Sequence, residues 1–381
     1  MTKILYLTPG CFDKGGISRY CRYQIDALRA IIGSEELFTM SLMGYETDSF
    51  EDDFEVDYAG KSNSKWEQIK FAFLFIWVVL LKRPKVIHVA HVNFSGLSHF
   101  MAKLIGATSV LNIYGLEVWS GLSLDANWGL RNVDFIISDC HNTKKYLVDH
   151  KIRKENDIEV IWDCIDLKKF KPESENKICE VAKKYSLPLY KTHKVIMTLG
   201  RLSYSASHKG YHRLIEAFSL LNIPNSILVI CGKGDMVEEL IQYSKQKGIS
   251  NCIYFTGMIH EDDMASLYSY ADIFSLVSEV GFGKGEGIPL TPLEAMACGT
   301  PIVVGNQDGS QEAIFDNNSN GYIVDSHDIF SQVISYRSLL NNPSEQVHKG
   351  AQAINVARKN FSYEIFLAKH RSFFDSKSLI N

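Results

Sequence analysis

Glu286 and Glu294 stand eight positions apart in the segment GEGIPLTPLEAMACGTPIV, residues 285–303, the first between two glycines and the second just past a proline. Glu294 has a local explanation. Pro292 pushes Thr291 away from helical angles and suits the first helical position, so Thr291-x-x-Glu294 reads as a capping box. It opens a short apolar helix that Gly299 ends. Glu286 lies outside that helix and is the carboxylate left for chemistry. Upstream, LGRLSYSASHKGYHRLIEAF places Arg201 past a strand-like run and Lys209 before Gly210 at the next helix start. Two cations at the carboxyl end of a parallel strand can neutralise a diphosphate, Arg as a planar fork and Lys as a point charge. An ordinary solvated loop is the alternative. Gly15 and Gly16 precede a helix after the first strand-like run, and free amides at a helix start attract anions. A plain turn needing positive φ would also use such a pair.

The elements that must position these residues alternate along the whole chain. Apolar strand-like runs at residues 4–7, 86–90, 109–113, 134–138 and 159–161 are separated by helical patterns. A second series follows at 195–199, 227–231, 253–256, 273–277, 302–304 and 322–324. Such alternation implies parallel sheets covered on both faces, and two series imply two doubly wound domains. The polar, proline-containing stretch DLKKFKPESENK suggests a boundary near residue 172, giving domains 1–172 and 173–361. Helices are expected at 329–340, 344–360 and 363–374. Ligands of doubly wound sheets bind off the carboxyl ends of the strands, so two such domains facing one another would enclose a cleft.

Composition narrows the function. A chain of 381 residues exceeds one ordinary core, and a net charge of -4 argues against nucleic acid as a partner. Eight cysteines are scattered without a Cys-x-x-Cys pair, as buried thiols are in a reducing compartment; neither zinc nor a disulfide framework is indicated. The first residues run straight into a strand, so no secretory signal is expected. The longest apolar stretch, FAFLFIWVVLL at 71–81, is too short to span a bilayer and is expected to be buried in the core. The cations Lys70, Lys82, Arg83 and Lys85 keep a membrane-surface helix as the alternative. VICGKGDMVEEL lacks the third glycine of a dinucleotide fingerprint and reads as a turn. The acids of HEDDMASLY sit at a helix start, where the macrodipole favours them.

In their order and context these segments resemble the retaining glycosyltransferases of family 4, glycosyl transferases group 1, which have the GT-B architecture of two Rossmann-like domains. The resemblance covers nearly the whole chain and is strongest over residues 199–324. It is carried by Gly15-Gly16, Gly200-Arg201-Leu202 with Lys209-Gly210, the Glu286 and Glu294 pair, and the segments DGSQEAI and NGYIV. It implies that Arg201 and Lys209 grip the donor diphosphate and that Glu286 lies beside the transferred sugar. The backbone of Gly287, Ile288, Pro289 and Leu290 would lie near sugar hydroxyls, Glu294 would accept from the ribose, and Met258 would frame the base. The last segment, 362–381, would pack back onto the first domain.

Two departures qualify the match. Relatives usually carry a histidine where NIYGLEVW has Tyr114, and the insertion SYSASH lengthens the loop between Arg201 and Lys209. Tyr114 can donate one hydrogen bond to a donor sugar. His91 is an acceptor-side candidate, with a plain structural histidine as the alternative. The implied activity is metal-independent retaining transfer from a nucleotide-diphosphate sugar to a glycan or lipid-linked acceptor. Surface polysaccharide or glycoconjugate synthesis would be its setting, in the cytoplasm or at the inner membrane face, with no cofactor beyond the donor. The rivals are an epimerase or hydrolase on the same fold, and an inactive sugar-nucleotide-binding subunit.

Overall fold

The computed structural model describes residues 2–13, 15–45, 54–119, 121–281 and 285–380. It divides into two compact units, Met1–Cys164 with Tyr363–Asn381, and Ile165–Ser362.

The first unit is a parallel sheet of β1 (Ile4–Thr8), β2 (Leu37–Ser41), β3 (Tyr58–Ala59), β4 (Val86–Val89), β5 (Thr108–Ile113), β6 (Phe135–Ser138) and β7 (Ile158–Val160). Their order is β3-β2-β1-β4-β5-β6-β7. Successive side chains of a strand point to opposite faces. Leu5 and Leu7 therefore enter one core with Phe75, Met101 and Leu130, whereas Ile4 and Tyr6 enter the other with Ile25 and Phe374. The first core is covered by helices Lys65–Lys82, Ser95–Ile105 and Leu124–Asn132, and the second by Gly16–Ile32 and Tyr363–Ser376. The last helix is stitched in place by Gln24 Nε2 and His370 Nε2 at 2.8 Å and by an edge contact of Tyr20 on Phe366.

The second unit is a parallel sheet of β8 (Lys194–Leu199), β9 (Ser226–Cys231), β10 (Ile253–Gly257), β11 (Ile273–Leu276), β12 (Ile302–Gly305) and β13 (Gly321–Val324), in the order β10-β9-β8-β11-β12-β13. The strand order reverses between β8 and β11, as it does between β1 and β4 in the first unit. At such a point the loops leaving two adjacent strands diverge and open a crevice at their carboxyl ends.

Four expectations need correction. Strands β2 and β3 escape a reading of apolar runs, because β3 has only two residues and Thr39 interrupts β2, its hydroxyl bonded to Asp57. The division falls after Cys164 rather than near residue 172. The reason is that Ile165 N donates to Phe361 O at 2.8 Å and Phe170 is buried beside Tyr268, which ties the connecting stretch to the second unit. The apolar run 71–81 is only half core: helix Lys65–Lys82 buries Phe71, Phe75, Val78 and Val79 but exposes its opposite side. Finally, the Thr291 capping box does not form. Helix Leu290–Ala297 begins two residues earlier, with Pro289 as N-cap and no side-chain cap. Pro292 is tolerated as its third residue because the amide it lacks would have had no helical partner there.

Candidate active site

The loops leaving β8 and β11, at the switch point of the second unit, converge on Glu286. Lys209 Nζ donates to Glu286 Oε1 at 2.6 Å, and His208 Nε2 lies 2.8 Å from the same oxygen. The backbone arranges this meeting. Gly210 adopts φ 75, and a Cβ there would stand 2.5 Å from Val277 O, so only glycine lets the β8 loop press against the β11 loop. Glu279 N donates to His208 O at 2.9 Å, and Arg213 spans to Glu279 at 2.7 Å.

A third loop, after β12, holds Glu286 from behind. Asp308 Oδ2 accepts from Glu286 N at 3.0 Å, and Gly309 N donates to Glu286 O at 3.2 Å. Asp308 is fully buried, with its other oxygen accepting from Ser310 N. The two carboxyls titrate in opposite directions. Burial raises Glu286, but the Lys209 charge and the His208 bond outweigh it and hold the group at about 2. Burial pushes Asp308 up to about 6, with the Glu286 charge adding to the rise against the Ser310 hydrogen bonds. Glu286 is thus a fixed anion in neutral solution, held beside the Lys209 ammonium.

Arg201 follows β8, is exposed, and among the described residues makes no ion pair or hydrogen bond through its guanidinium. The stem of Lys209 runs over Gly200, where a Cβ would meet its Cδ at 3.2 Å. Both cations therefore belong to one strand tip. The GKG turn supports it: Cβ atoms on Gly232 and Gly234 would collide with Gly200 O and Leu202 O at 1.9 and 2.1 Å. Those glycines serve close backbone packing. Met258, just past β10, is 44% exposed at the same carboxyl edge of the sheet.

Glu294 is placed differently. It is fully buried, and Tyr268 OH donates to its Oε2 at 2.7 Å. Gly287, Ile288, Pro289 and Leu290 form the buried lead into its helix.

The sequence-based candidates of the first unit take structural places. The Tyr114 hydroxyl accepts from Asn112 Nδ2 at 3.3 Å and lies 3.9 Å from Cys21 Sγ, inside a buried polar network with Gln24 and His88. This turns Tyr114 into the core, because β5 directs it to the face covered by Gly16–Ile32. His91 Nδ1 accepts from Asn93 N at 3.2 Å and caps a short turn after β4, and burial lowers it to about 4. Gly15 donates its amide to Asp13 Oδ1 at 2.6 Å, so a carboxylate of this chain already stands at the start of Gly16–Ile32.

Reading residue types missed His208 and Asp308. His208 is the last residue of the insertion SYSASH, where its type and spacing carry no signal of a partner. Asp308 carried one legible signal: an Asp-Gly-Ser turn in which the side chain accepts from the amide two residues on. Among the described residues no group of three or more His, Cys, Asp or Glu side chains could hold a metal ion.

Two doubly wound α/β units, each built on a parallel sheet with a switch point, have the make-up of the GT-B fold. Residues 182–358 match the family described as glycosyl transferases group 1. The chain is 24% identical over 303 residues to the alpha-monoglucosyldiacylglycerol synthase of Streptococcus pneumoniae, covering 78% of this chain and 63% of that protein. It is 27% identical over 203 residues to the GDP-mannose-dependent alpha-(1-6)-phosphatidylinositol monomannoside mannosyltransferase of Mycolicibacterium smegmatis, covering 52% and 51%. The chain thus spans between half and two thirds of the length of these curated relatives. In fold it is similar to Anabaena HepE, crystallised with UDP, at a TM-score of 0.80 and 15% identity, covering 98% of this chain and all of that one.

Proposed function

We propose that this chain is a retaining glycosyltransferase that moves a sugar from a nucleotide-diphosphate donor to a glycan or lipid-linked acceptor. The observation that carries the reading is the meeting of Lys209 and His208 on Glu286 at the switch point, with the Arg201 guanidinium, unpaired among the described residues, at the same strand tip. A diphosphate arriving there finds one free planar fork and one ammonium able to exchange a carboxylate for a phosphate oxygen. Supporting it, HepE has been crystallised with UDP and with UDP-glucose, and the two named relatives carry diacylglycerol and phosphatidylinositol in their names.

In the proposed step the bond between the anomeric carbon and the diphosphate oxygen breaks, its electron pair staying on the diphosphate. The acceptor hydroxyl oxygen bonds to the same carbon from the same face, and its proton passes to the departing diphosphate. Arg201 and Lys209 stabilise the charge that grows on the leaving group, a task that needs no metal when two cations are in place. Glu286 stays ionised beside a carbon that becomes oxocarbenium-like. Glu294 is assigned to the ribose and the amides near Ile288 to the sugar. The eight cysteines form no disulfide among the described residues, which fits a reducing, cytoplasmic setting.

The test is a screen of nucleotide sugars by thermal shift, since a ligand of the folded state raises apparent stability. Transfer is then measured with the donor that stabilises most, and the anomeric configuration of the product is read by NMR. An α-linked product from an α-linked donor, formed only with acceptor, supports the reading. Turnover of donor alone would favour the epimerase or hydrolase. Binding without turnover would leave a sugar-nucleotide-binding subunit.

A further inference from the structure

The proposed chemistry makes no use of the outer surface of the first unit. Helix Lys65–Lys82 exposes Trp66, Ile69, Phe73, Trp77, Leu80 and Leu81, with Trp66 at 81% and Phe73 at 69%. Their spacing follows the 3.6-residue period, so they form one stripe along the helix while Phe71, Phe75, Val78 and Val79 hold the opposite side to the sheet. The neighbouring helices continue the apolar surface. Ser95–Ile105 packs beside Lys65–Lys82 over the same core and exposes Phe100 and Leu104. Leu124–Asn132 packs against Ser95–Ile105 and exposes Leu124 and Trp128. Ten large apolar side chains exposed on three helices packed in series mark an interaction site on a folded protein.

Charge identifies the occupant. Lys65 and Lys70 stand exposed near one end of the stripe and Arg83 at the other, where the chain leaves the helix with φ 43. The single acid of the helix, Glu67, lies 3.8 Å from Lys70. A second copy of the chain seated on this face would set like cations against each other. A bilayer with anionic headgroups meets both parts: tryptophans settle at the polar–apolar boundary, the aliphatic side chains enter it, and the cations meet phosphates. Among the described residues no helix is long and apolar enough to cross a membrane. We propose that this face docks on the surface of an anionic lipid bilayer, with helix Lys65–Lys82 lying in the plane of the interface. The inference deepens the reading of a lipid-linked acceptor, yet it rests on this surface alone and is read without donor or turnover.

The experiment mixes the full chain with phosphatidylcholine vesicles, with and without phosphatidylglycerol, and measures cosedimentation and tryptophan emission. Binding is expected only with the anionic lipid, weakened by salt and accompanied by a blue shift from Trp66 and Trp77. The triple variant Trp66→Ala, Phe73→Ala, Trp77→Ala keeps its melting temperature, because these side chains are exposed, and loses at least about tenfold in partitioning. Lys65→Glu, Lys70→Glu and Arg83→Glu each cost about fivefold or more. Wild-type protein that ignores anionic vesicles, or a triple variant that binds them equally well, overturns the proposal. So does a dimer in sedimentation equilibrium that the triple variant abolishes, since the face would then belong to a second copy. A protein that binds vesicles but transfers no sugar upholds this inference and sinks the proposed function alone.

Discussion

The Lys209 ammonium lies 2.6 Å from the Glu286 carboxylate, although 77 residues separate them in the chain. The pair joins the loops of the two strands that flank the switch point, and it stores a cation where a diphosphate is proposed to bind. Ligand binding then becomes an exchange of partners for Lys209. Glu286 has a second hydrogen-bonding neighbour in His208, whose ring nitrogen lies 2.8 Å from the same oxygen.

Arg201→Ala and Lys209→Ala should each lower kcat/KM for transfer by roughly 30- to 1,000-fold, about 2–4 kcal/mol of transition-state stabilisation. Arg201 is exposed and among the described residues unpaired, so its variant should melt with the wild type. Near-wild-type turnover by either variant removes the assigned role.

Glu286→Gln keeps an acceptor for His208 but releases Lys209 from its counter-ion. Transfer should fall at least about tenfold, roughly 1.4 kcal/mol, while nucleoside-diphosphate affinity stays the same or tightens. Isothermal titration beside a rate assay separates the two effects. An intact rate with a lower melting temperature would make Glu286 structural.

Thr291→Ala should cost less than about 0.5 kcal/mol, because helix Leu290–Ala297 has no side-chain cap. Tyr268→Phe should cost about 1–3 kcal/mol, since it strips a hydrogen bond from the fully buried Glu294 carboxylate. Chemical denaturation of both variants checks the order. The reverse order would restore the capping box.

Tyr114→Phe removes a hydroxyl bonded to Asn112 and should cost about 1 kcal/mol of stability with transfer changed by less than about threefold. A large loss of rate at unchanged stability would return Tyr114 to the donor sugar.

Burial lowers His88 to about 4, against the Asn112 bond that raises it, and lowers His370 to about 3. Unfolding frees both to bind protons near the ordinary pKa of about 6.5. The unfolded state therefore holds more protons below that pH, and stability present above it is lost as pH falls from about 6.5 towards 4. Asp308 works the other way, since its raised pKa makes it lose stability as pH rises through about 6. His88→Gln should flatten the acid limb of the melting-temperature profile between pH 7 and 5. An unchanged difference between those two conditions would show that His88 does not titrate on unfolding.

Parallel strands are buried on both faces, so they are written as continuous apolar runs, and this alone located β1 and β4 through β13. The strand tips followed, and with them Arg201, Lys209 and Glu286, because cations and an uncapped acid beside glycines need no tertiary knowledge to notice. What the sequence could not settle was every choice of partner. Glu294 fits a capping box by spacing, yet it bonds Tyr268, 26 residues away, because its helix starts at Leu290. His208 and Asp308 became site residues only when three loops met around Glu286. Tyr114 sits at a strand tip by count, but the pleat of β5 turns it inward to Asn112. Helix Lys65–Lys82 is apolar nearly all round from Phe71 to Leu81, so its pattern cannot say which side is covered. Only the packing of Phe75 and Val79 on the sheet decided that Trp66, Phe73 and Trp77 face outward.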